Sequence, residues 1–294
     1  MSFNNAYNEF LNYVLKRHKK QGFITITEVF NNHILPYFEN KEINNLTKLD
    51  IIEWQNKILD KNYSNNFNAK LYYAFSQFAK YCVCCSYLEE NIVSEVGPFK
   101  KKIEFKSHTT YTLTQFRKFR LYLNDFVIKQ FFNFMFFYGT RPSEAMALRF
   151  LDLKKRYIYV RHSIQRKGNR ELDTPKNQSS IRIIKINLLM LFRIWLLKQY
   201  YIKKYGSFSK DYFIFGGSKP LAPTTIDRHK KNAYEKAKLP AITQHEFRHS
   251  YATCKIHKNV PIDLVSRSMG HSKVSTTLDI YLHQEKNTIN VFSS

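Results

Sequence analysis

The stretch "TQHEFRHSYAT", residues 243–253, brings two histidines and an arginine into little more than one helical turn. Thr243 followed three positions later by Glu246 is the pattern of a capping box, which predicts that a helix begins here. The N-terminus of a helix already carries partial positive charge and unpaired N–H groups. Cations such as His245 and Arg248 are therefore unfavourable at this end unless an anion lies beside them. The stretch predicts either an anion-binding site or a solvated surface whose charge is screened by salt.

The charge of the whole chain favours the anion-binding interpretation. The 294 residues include 47 Lys and Arg but only 23 Asp and Glu, which gives a formal net charge of +24. Such a surplus is typical of proteins that bind nucleic acid, although a protein can also be basic without a polyanionic partner. Hydrophobic residues make up 44% of the chain, and the length suggests two domains with real cores.

The sequence contains no membrane or secretion signal. No apolar run approaches the roughly 18 residues of a membrane span, and "MSFNNAYNEF" lacks the order of a signal peptide. We therefore expect a cytoplasmic protein. The run "CVCC" lacks the C-x-x-C spacing of a zinc site. We expect the cysteines to be reduced and buried rather than metal ligands: Cys82, Cys84, Cys85 and Cys254.

Residues 1–97 are predicted to form a small helical bundle. Apolar residues recur at three- and four-residue spacing, and Thr47 with Asp50 can cap the helix of "LTKLDIIEWQNKIL". The many aromatics are expected in the core, with a base-stacking platform as the alternative. Gly97 and Pro98 end the bundle, and residues 98–110 form a basic linker that is either merely solvated or lies along a phosphate backbone. Its lysines are Lys100, Lys101, Lys102 and Lys106.

Residues 111–294 are predicted to form a second domain. It opens with a helix over 114–124, which Thr112 or Thr114 can cap, and with "FVIKQFFNFMFFYGT", which is apolar nearly all round and therefore buried. Two β-branched segments, "RYIYVRHSIQ" and "SSIRIIKIN", flank a turn-rich stretch, and helices then resume. The chain is thus expected to be mainly α-helical with a small antiparallel β-sheet, a helical bundle followed by an α+β domain.

Two further stretches place polar residues at helix ends. In "GTRPSEAMAL", residues 139–148, proline in the first turn puts Arg141 at a helix N-terminus, where Glu144 can bond to the cap or orient an arginine. In "MGHSKVSTTLDIYLH", residues 269–283, Gly270 can stop one helix before His271. Ser272 can then cap a second helix, and that helix carries Tyr281. Taken alone, each stretch is also compatible with a purely structural role.

Taken together, these residue types suit one reaction. Guanidinium groups match the two non-bridging oxygens of a phosphodiester and stay charged at working pH. Ionising a tyrosine at neutral pH costs about 4 kcal/mol, which a neighbouring base and a positive field can supply. The product is a covalent phosphotyrosine, and the step requires neither ATP nor metal. The sequence also lacks a Gly-rich phosphate loop and an H-E-x-x-H motif.

The order of these motifs resembles that of the tyrosine recombinase (phage integrase) family. "GTRPSE" is followed by a lysine in "TPKNQSSIRIIKI", then by "HEFRHSYAT", then by "MGHSKVSTTLDIY", with ten residues from His271 to Tyr281. The resemblance covers essentially the whole chain. It implies that residues 1–97 form a SAM-like core-binding domain, that 98–110 form the linker, and that 111–294 form the catalytic domain with a C-terminal tail.

Family roles transfer to matching positions. The resemblance implies that Arg141 and Arg248 clamp the scissile phosphate, that His245 accepts the tyrosine proton, and that His271 hydrogen-bonds a non-bridging oxygen. Tyr281 is then the nucleophile.

The remaining roles are less direct. The resemblance implies that Lys176 protonates the leaving 5′ oxygen; Lys167 lies in the same turn region, and "TPK" before "SSIRI" favours Lys176. Glu144 is expected to be the partner of an arginine, and His249 a packing or supporting residue.

The family also implies an assembly. Two lobes close around double-stranded DNA at specific sites, and four protomers exchange strands through a Holliday junction in the bacterial nucleoid, with an accessory DNA-bending or directionality protein in some systems. The tail "LHQEKNTINVFSS" docks on a neighbouring protomer through Val291 and Phe292, or else is a frayed terminus. Many mobile-element integrases carry an additional arm-binding domain before the position of Met1. The chain is therefore either a simple recombinase or one that lacks this domain by truncation.

Two other functions remain open at this stage. A type IB topoisomerase-like relaxase shares the phosphotyrosine chemistry but acts as a monomer. A DNA-binding protein without catalysis needs only the basic surface, although competent residues occupy all six motif positions.

Overall fold

A computed structural model describes residues 1–18, 20–100, 109–164, 172–173, 181–271, 273–275 and 277–278. The chain folds into two compact units, Met1–Phe105 and Lys106–Ser294. Several expectations lie outside the described residues: the roles of Lys101, Lys102, Lys106, Lys167, Lys176 and Tyr281, the cap at Ser272, and the tail. No helix within the described ranges is long and apolar enough to cross a membrane.

The first unit is helical, as predicted. Its helices are α1 (Phe3–Arg17), α2 (Lys20–His33), α3 (Leu35–Phe38), α4 (Lys48–Asp60), α5 (Asn65–Cys84) and α6 (Ile92–Val96), with a 3₁₀ turn at Ile43–Asn45. The predicted capping box of α4 is confirmed, because the Thr47 side chain accepts from the Asp50 N–H and the Asp50 carboxylate accepts from the Thr47 N–H. Helix α6 ends at Gly97, whose φ of 85° suits glycine.

Aromatic rings fill the core of this unit. Phe3, Phe10, Phe30 and Phe78 are fully buried and contact one another at centroid distances of 5.0–5.9 Å. The buried Trp54 donates its indole N–H to the His33 carbonyl at 2.7 Å. These side chains belong to a core, so the expectation of core packing is confirmed for them.

The expectation that all cysteines are buried is wrong. All four thiols are free, but Cys84 is exposed, and Cys85 and Cys254 are partly exposed. Only Cys82 is buried. In a helix, residues two apart lie about 200° apart around the axis, so Cys82 and Cys84 of α5 face opposite directions.

The second unit combines helices with two small sheets. Its helices are α7 (Leu113–Leu121), α8 (Phe126–Tyr138), α9 (Pro142–Ala147), α10 (Leu188–Tyr205), α11 (Pro223–Lys236), α12 (Gln244–Ile256) and α13 (Ile262–Met269). Its strands are β1 (Leu153–Lys154), β2 (Tyr157–Val160), β3 (Ser163–Ile164), β4 (Leu172–Asp173) and β5 (Arg182–Lys185). A further 3₁₀ turn covers Phe150–Asp152.

Both sheets are antiparallel, as predicted. Strands pair in the order β1–β2–β5, and β3 pairs with β4. Val160 faces Arg182 and Ile158 faces Ile184 across the β2–β5 pair. Because side chains alternate along a strand, Arg182 points to the same face as the buried Ile184.

Helix α8 is the centre of the second unit, as its all-round apolar sequence predicts. Most of its residues are buried, and Phe136 stacks on Phe116 of α7 at a centroid distance of 3.9 Å. It ends at Gly139, whose left-handed backbone turns the chain directly into Thr140 and Arg141. Helix α12 packs along α8, so α8 sets the position of both arginine-bearing stretches.

Candidate active site

The site forms where the loop after α8, the helix α12 and the end of α13 meet. Helix α12 begins at the predicted capping box, in which the Thr243 side chain accepts from the Glu246 N–H and the Glu246 carboxylate accepts from the Thr243 N–H. Helix α13 ends at Gly270, whose φ of 70° places it in the left-handed region, as predicted for a helix stop.

Arg248 is buried in this site. Only 2% of its surface is exposed, and its Nη1 donates to the Gly139 carbonyl at 2.8 Å. Its Nη2 is buried and has no hydrogen-bond partner among the described residues. Burial, followed by the charge of Arg141, lowers the pKa of Arg248 to about 9, so the guanidinium stays protonated at neutral pH. A buried cation with an unused donor is a binding group for an anion.

Arg141 lies at the N-terminus of α9, as predicted. Its Nη1 pairs with Glu144 Oε1 at 2.7 Å, and its Nη2 donates to the Gly270 carbonyl at 3.1 Å. The Glu144 carboxylate also accepts from the Arg141 backbone N–H at 2.9 Å. The two functions foreseen for Glu144, capping and arginine orientation, are therefore both present.

Arg182 is a site residue that the sequence analysis missed. Its Nη2 pairs with Glu144 Oε2 at 2.8 Å and its Nε donates to the Ser268 carbonyl at 2.9 Å. Burial raises the pKa of Glu144, but the hydrogen bond and charge of Arg182, together with Arg141, hold that pKa below its usual range. An available signal was an arginine two positions before Ile184, on the inward face of an alternating strand.

His271 follows α13 and is held neutral. Its Nδ1 lies 2.8 Å from Thr277 Oγ1. Burial, followed by the charges of Arg248 and Arg141, lowers the pKa of His271 to about 3. A neutral imidazole can donate one hydrogen bond without adding charge to the site.

The other predicted residues that the structure describes are less buried than Arg248 or lie in the first unit. His245 is exposed, although it lies three residues before the buried Arg248 on α12. His249 is partly buried and contributes to the pKa shift of His271. Lys100 is an exposed residue of the first unit. The described side chains include no group of three or more His, Cys, Asp or Glu placed to hold a metal ion.

The charge balance of the site is positive. Arg141 and Arg182 share the carboxylate of Glu144, and Arg248 adds a third guanidinium that is close enough for Arg141 and Arg182 to affect its pKa. With His271 neutral, three cations are balanced by the one carboxylate that these contacts include. A half-buried site with this surplus attracts a phosphate group.

The lowered pKa of His271 predicts how the stability of the protein depends on pH. Between pH 6.5 and about 3 the unfolded chain binds a proton on this imidazole and the folded chain does not. The free energy of unfolding therefore falls as pH is lowered through that window. Between pH 7 and pH 5, we expect wild type to lose more stability in urea denaturation than His271→Asn. His257→Asn, at an exposed position of the same unit, should behave as wild type; equal losses in all three would contradict the prediction.

Gly139 is predicted to be intolerant of a side chain. A Cβ at this position would overlap the Tyr251 ring, and the backbone φ of 64° is unfavourable for other residues. We expect Gly139→Ala to lower the free energy of unfolding by about 2–5 kcal/mol, from backbone strain and overpacking together. Gly206 is a matched control, since its φ is 70° and nothing lies within 4 Å of a Cβ there. Gly206→Ala should cost about 1–2 kcal/mol; equal losses would show that the Tyr251 contact is unimportant.

Comparisons with known proteins match both halves of the chain. The family model described as "Phage integrase family" matches residues 113–288, and that of "Phage integrase, N-terminal SAM-like domain" matches residues 2–59. The ICEBs1 integrase of Bacillus subtilis (strain 168) is 26% identical over 268 residues, which are 87% of this chain and 72% of the relative. A XerC-like tyrosine recombinase of Caldanaerobacter subterraneus subsp. tengcongensis is 27% identical over 286 residues, 86% of this chain and 73% of the relative.

Solved structures share the fold. A lambda integrase dimer bound to a COC′ core site has a TM-score of 0.72 at 14% identity and covers 95% of each chain. The Tn1549 transposon integrase in complex with transposon right end DNA has a TM-score of 0.74 at 19% identity and covers 100% of both. A lambda integrase tetramer bound to a Holliday junction has a TM-score of 0.74 at 12% identity, over 95% of this chain and 77% of that one.

Proposed function

The chain belongs to the phage integrase family and is a tyrosine-type site-specific DNA recombinase, and on this premise we propose how its residues divide the reaction. The observation that carries the proposal is the cluster of three arginines, in which Arg141 and Arg182 share the Glu144 carboxylate and the buried Nη2 of Arg248 has no hydrogen-bond partner among the described residues. The ligand that this cluster fits is a DNA phosphodiester.

In the first step, the Tyr281 oxygen attacks phosphorus and the bond to the 5′ oxygen breaks. His245 takes the tyrosine proton, and Lys176 gives a proton to the departing 5′ oxygen. The DNA strand is then held as a 3′-phosphotyrosine, which keeps the energy of the broken bond without ATP or metal. Attack by the 5′ hydroxyl of another strand reverses the step and releases Tyr281.

The charge that grows on the phosphorane oxygens is met by the arginines. Arg248 is fixed by Gly139 and offers Nη2, while Arg141 is fixed by Glu144 and Gly270. Donors held before the reaction lower the barrier because they need not reorganise. His271, neutral and bonded through Nδ1, offers Nε2 to a non-bridging oxygen. His249 on α12 helps to keep His271 neutral, because its charge lowers the pKa of His271.

The two units divide the binding of DNA. Residues 1–97 serve as the core-binding domain, 98–110 as a linker whose Lys100, Lys101, Lys102 and Lys106 contact phosphates, and 111–294 as the catalytic domain. Sequence specificity then comes from contacts to base edges and from DNA shape.

The assembly that we propose is a homotetramer on two specific sites. Strand exchange proceeds through a Holliday junction, with the segment after Tyr281 docked on a neighbouring protomer and an accessory DNA-bending or directionality protein in some reactions. The ICEBs1 and Tn1549 relatives support a mobile element as the substrate, in the nucleoid of a bacterium.

The deciding experiment is a covalent trap. The protein is incubated with fragmented genomic DNA of its source organism, denatured, and the protein-linked DNA is sequenced. We expect adducts that cluster at one sequence, and two duplexes carrying that sequence should yield Holliday junctions and recombinants. Scattered adducts with relaxation of supercoils but no recombinants would indicate a type IB relaxase. Tight DNA binding without adducts would contradict catalysis by this chain alone.

A further inference from the structure

Arg182 joins three elements of the second unit. From β5 it reaches Glu144 of α9 at 2.8 Å and the Ser268 carbonyl of α13 at 2.9 Å. Both ends of the ion pair are buried, with side-chain exposures of 8% for Arg182 and 5% for Glu144. A pair so far from solvent is little screened by water or salt, so its charges act strongly on their neighbours.

The carboxylate of Glu144 is divided between two arginines. Oε1 accepts from Arg141 and Oε2 accepts from Arg182. If Glu144 faced Arg141 alone, it would orient that guanidinium but also cancel its charge. With Arg182 on the second oxygen, the three groups carry one net positive charge, and Arg141 stays oriented and electropositive.

We propose that Arg182 is a positioning residue for recombination, which offsets the charge of Glu144 so that Arg141 can hold the scissile phosphate. The inference rests on the proposed function and goes beyond it, because Arg182 acts through Glu144 and not on the DNA. Its bond to Ser268 also ties the end of α13 to β5, two residues before Gly270, whose carbonyl receives Arg141.

The test is a double-mutant cycle on the rate of adduct formation, with a DNA fragment carrying the sequence recovered in the covalent trap. Arg182→Gln leaves Glu144 charged beside Arg141, and we expect the single-turnover rate at saturating DNA to fall about 100-fold. Glu144→Gln/Arg182→Gln removes both charges and should be at least about tenfold faster than Arg182→Gln. Glu144→Gln alone completes the cycle. Arg182→Lys keeps the positive charge but not the planar guanidinium that bonds both Glu144 and Ser268, so its rate should lie between those of Arg182→Gln and wild type.

A purely structural role for Arg182 gives the opposite pattern. Removing a second buried partner would then leave the double variant as slow as Arg182→Gln or slower, and that result, in proteins that melt as wild type and bind DNA, overturns the proposal. Arg182→Lys as slow as Arg182→Gln overturns it too. If Arg182→Gln does not fold, the double variant still decides, because loss of both members of a buried pair is better tolerated than loss of one. A folded but inactive double variant then overturns the proposal.

The experiment distinguishes a failure of the role proposed for Arg182 from a failure of the proposed function. Wild-type protein that forms no adducts contradicts the recombinase reaction itself, before any variant is compared. Wild-type adducts without rescue in the double variant contradict only the role of Arg182.

Discussion

Tyr281→Phe is expected to remove all protein-linked DNA from the covalent trap. Phenylalanine lacks the hydroxyl that attacks phosphorus in the proposed reaction, so we expect adduct formation to fall by about 10⁴-fold or more. DNA affinity should change little, since arginines and lysines supply the electrostatic contacts. The measurement is a denaturing gel of end-labelled DNA carrying the recovered site, with binding of the same fragment followed in parallel.

Two other tyrosines serve as a control and as an alternative nucleophile. Tyr200 is exposed on α10, and Tyr200→Phe should form adducts at the wild-type rate. Tyr251 is the competing candidate, because its hydroxyl lies 3.0 Å from Ser268 Oγ and it is close enough to Arg248 to raise the pKa of that arginine. Adducts that persist in Tyr281→Phe and disappear in Tyr251→Phe would assign the nucleophile to Tyr251 instead.

Local chemistry explains why so much of the fold was predictable. The boxes at Thr47 and Thr243 and the turn at Gly270 each follow from side chains within a few residues of one another. The all-round apolar sequence of 126–138 likewise predicts burial without any knowledge of its neighbours. Such signals locate elements, but they do not say which elements meet.

The features that were missed depend on long-range contacts. Arg182 acquires its role by meeting Glu144, 38 residues earlier, and Ser268, 86 residues later. Nothing within β5 encodes either partner. The prediction that the cysteines are buried was wrong for a related reason, because the burial of Cys84 depends on which face of α5 packs against the bundle.

The cations of the opening stretch show the same limit. Three residues apart, His245 and Arg248 look alike in the sequence, yet one is exposed and the other is 2% exposed. Spacing predicts that both lie near the helix N-terminus, whereas packing of α12 on α8 decides which becomes the buried cation. The conflict with the helix dipole thus predicts an anion site, and that stays a prediction, but it does not indicate how deeply each cation is buried.

Arg248→Met is expected to inactivate the protein without destabilising it. The variant loses the donor that we propose for the scissile phosphate, so the rate of adduct formation should fall by about 10³-fold or more. The free protein loses a desolvated cation whose Nη2 has no partner in the part of the chain that the structure describes, and whose neighbours include Arg141. Replacing a buried charge by an apolar side chain of similar volume is often neutral or stabilising, so the free energy of unfolding should stay unchanged or rise by about 1–2 kcal/mol.

Single-turnover kinetics checks the expected fall in the rate of adduct formation, and thermal or urea denaturation checks the free energy of unfolding. Arg193→Met is the matched control. Arg193 is also desolvated beside another arginine, Arg120, but lies outside the site. Its variant should keep the wild-type rate of adduct formation. A strongly destabilised Arg248→Met would mean that the bond to Gly139 supports the fold. A stable, inactive variant would mean that the protein maintains a costly cation for the phosphate it has yet to bind.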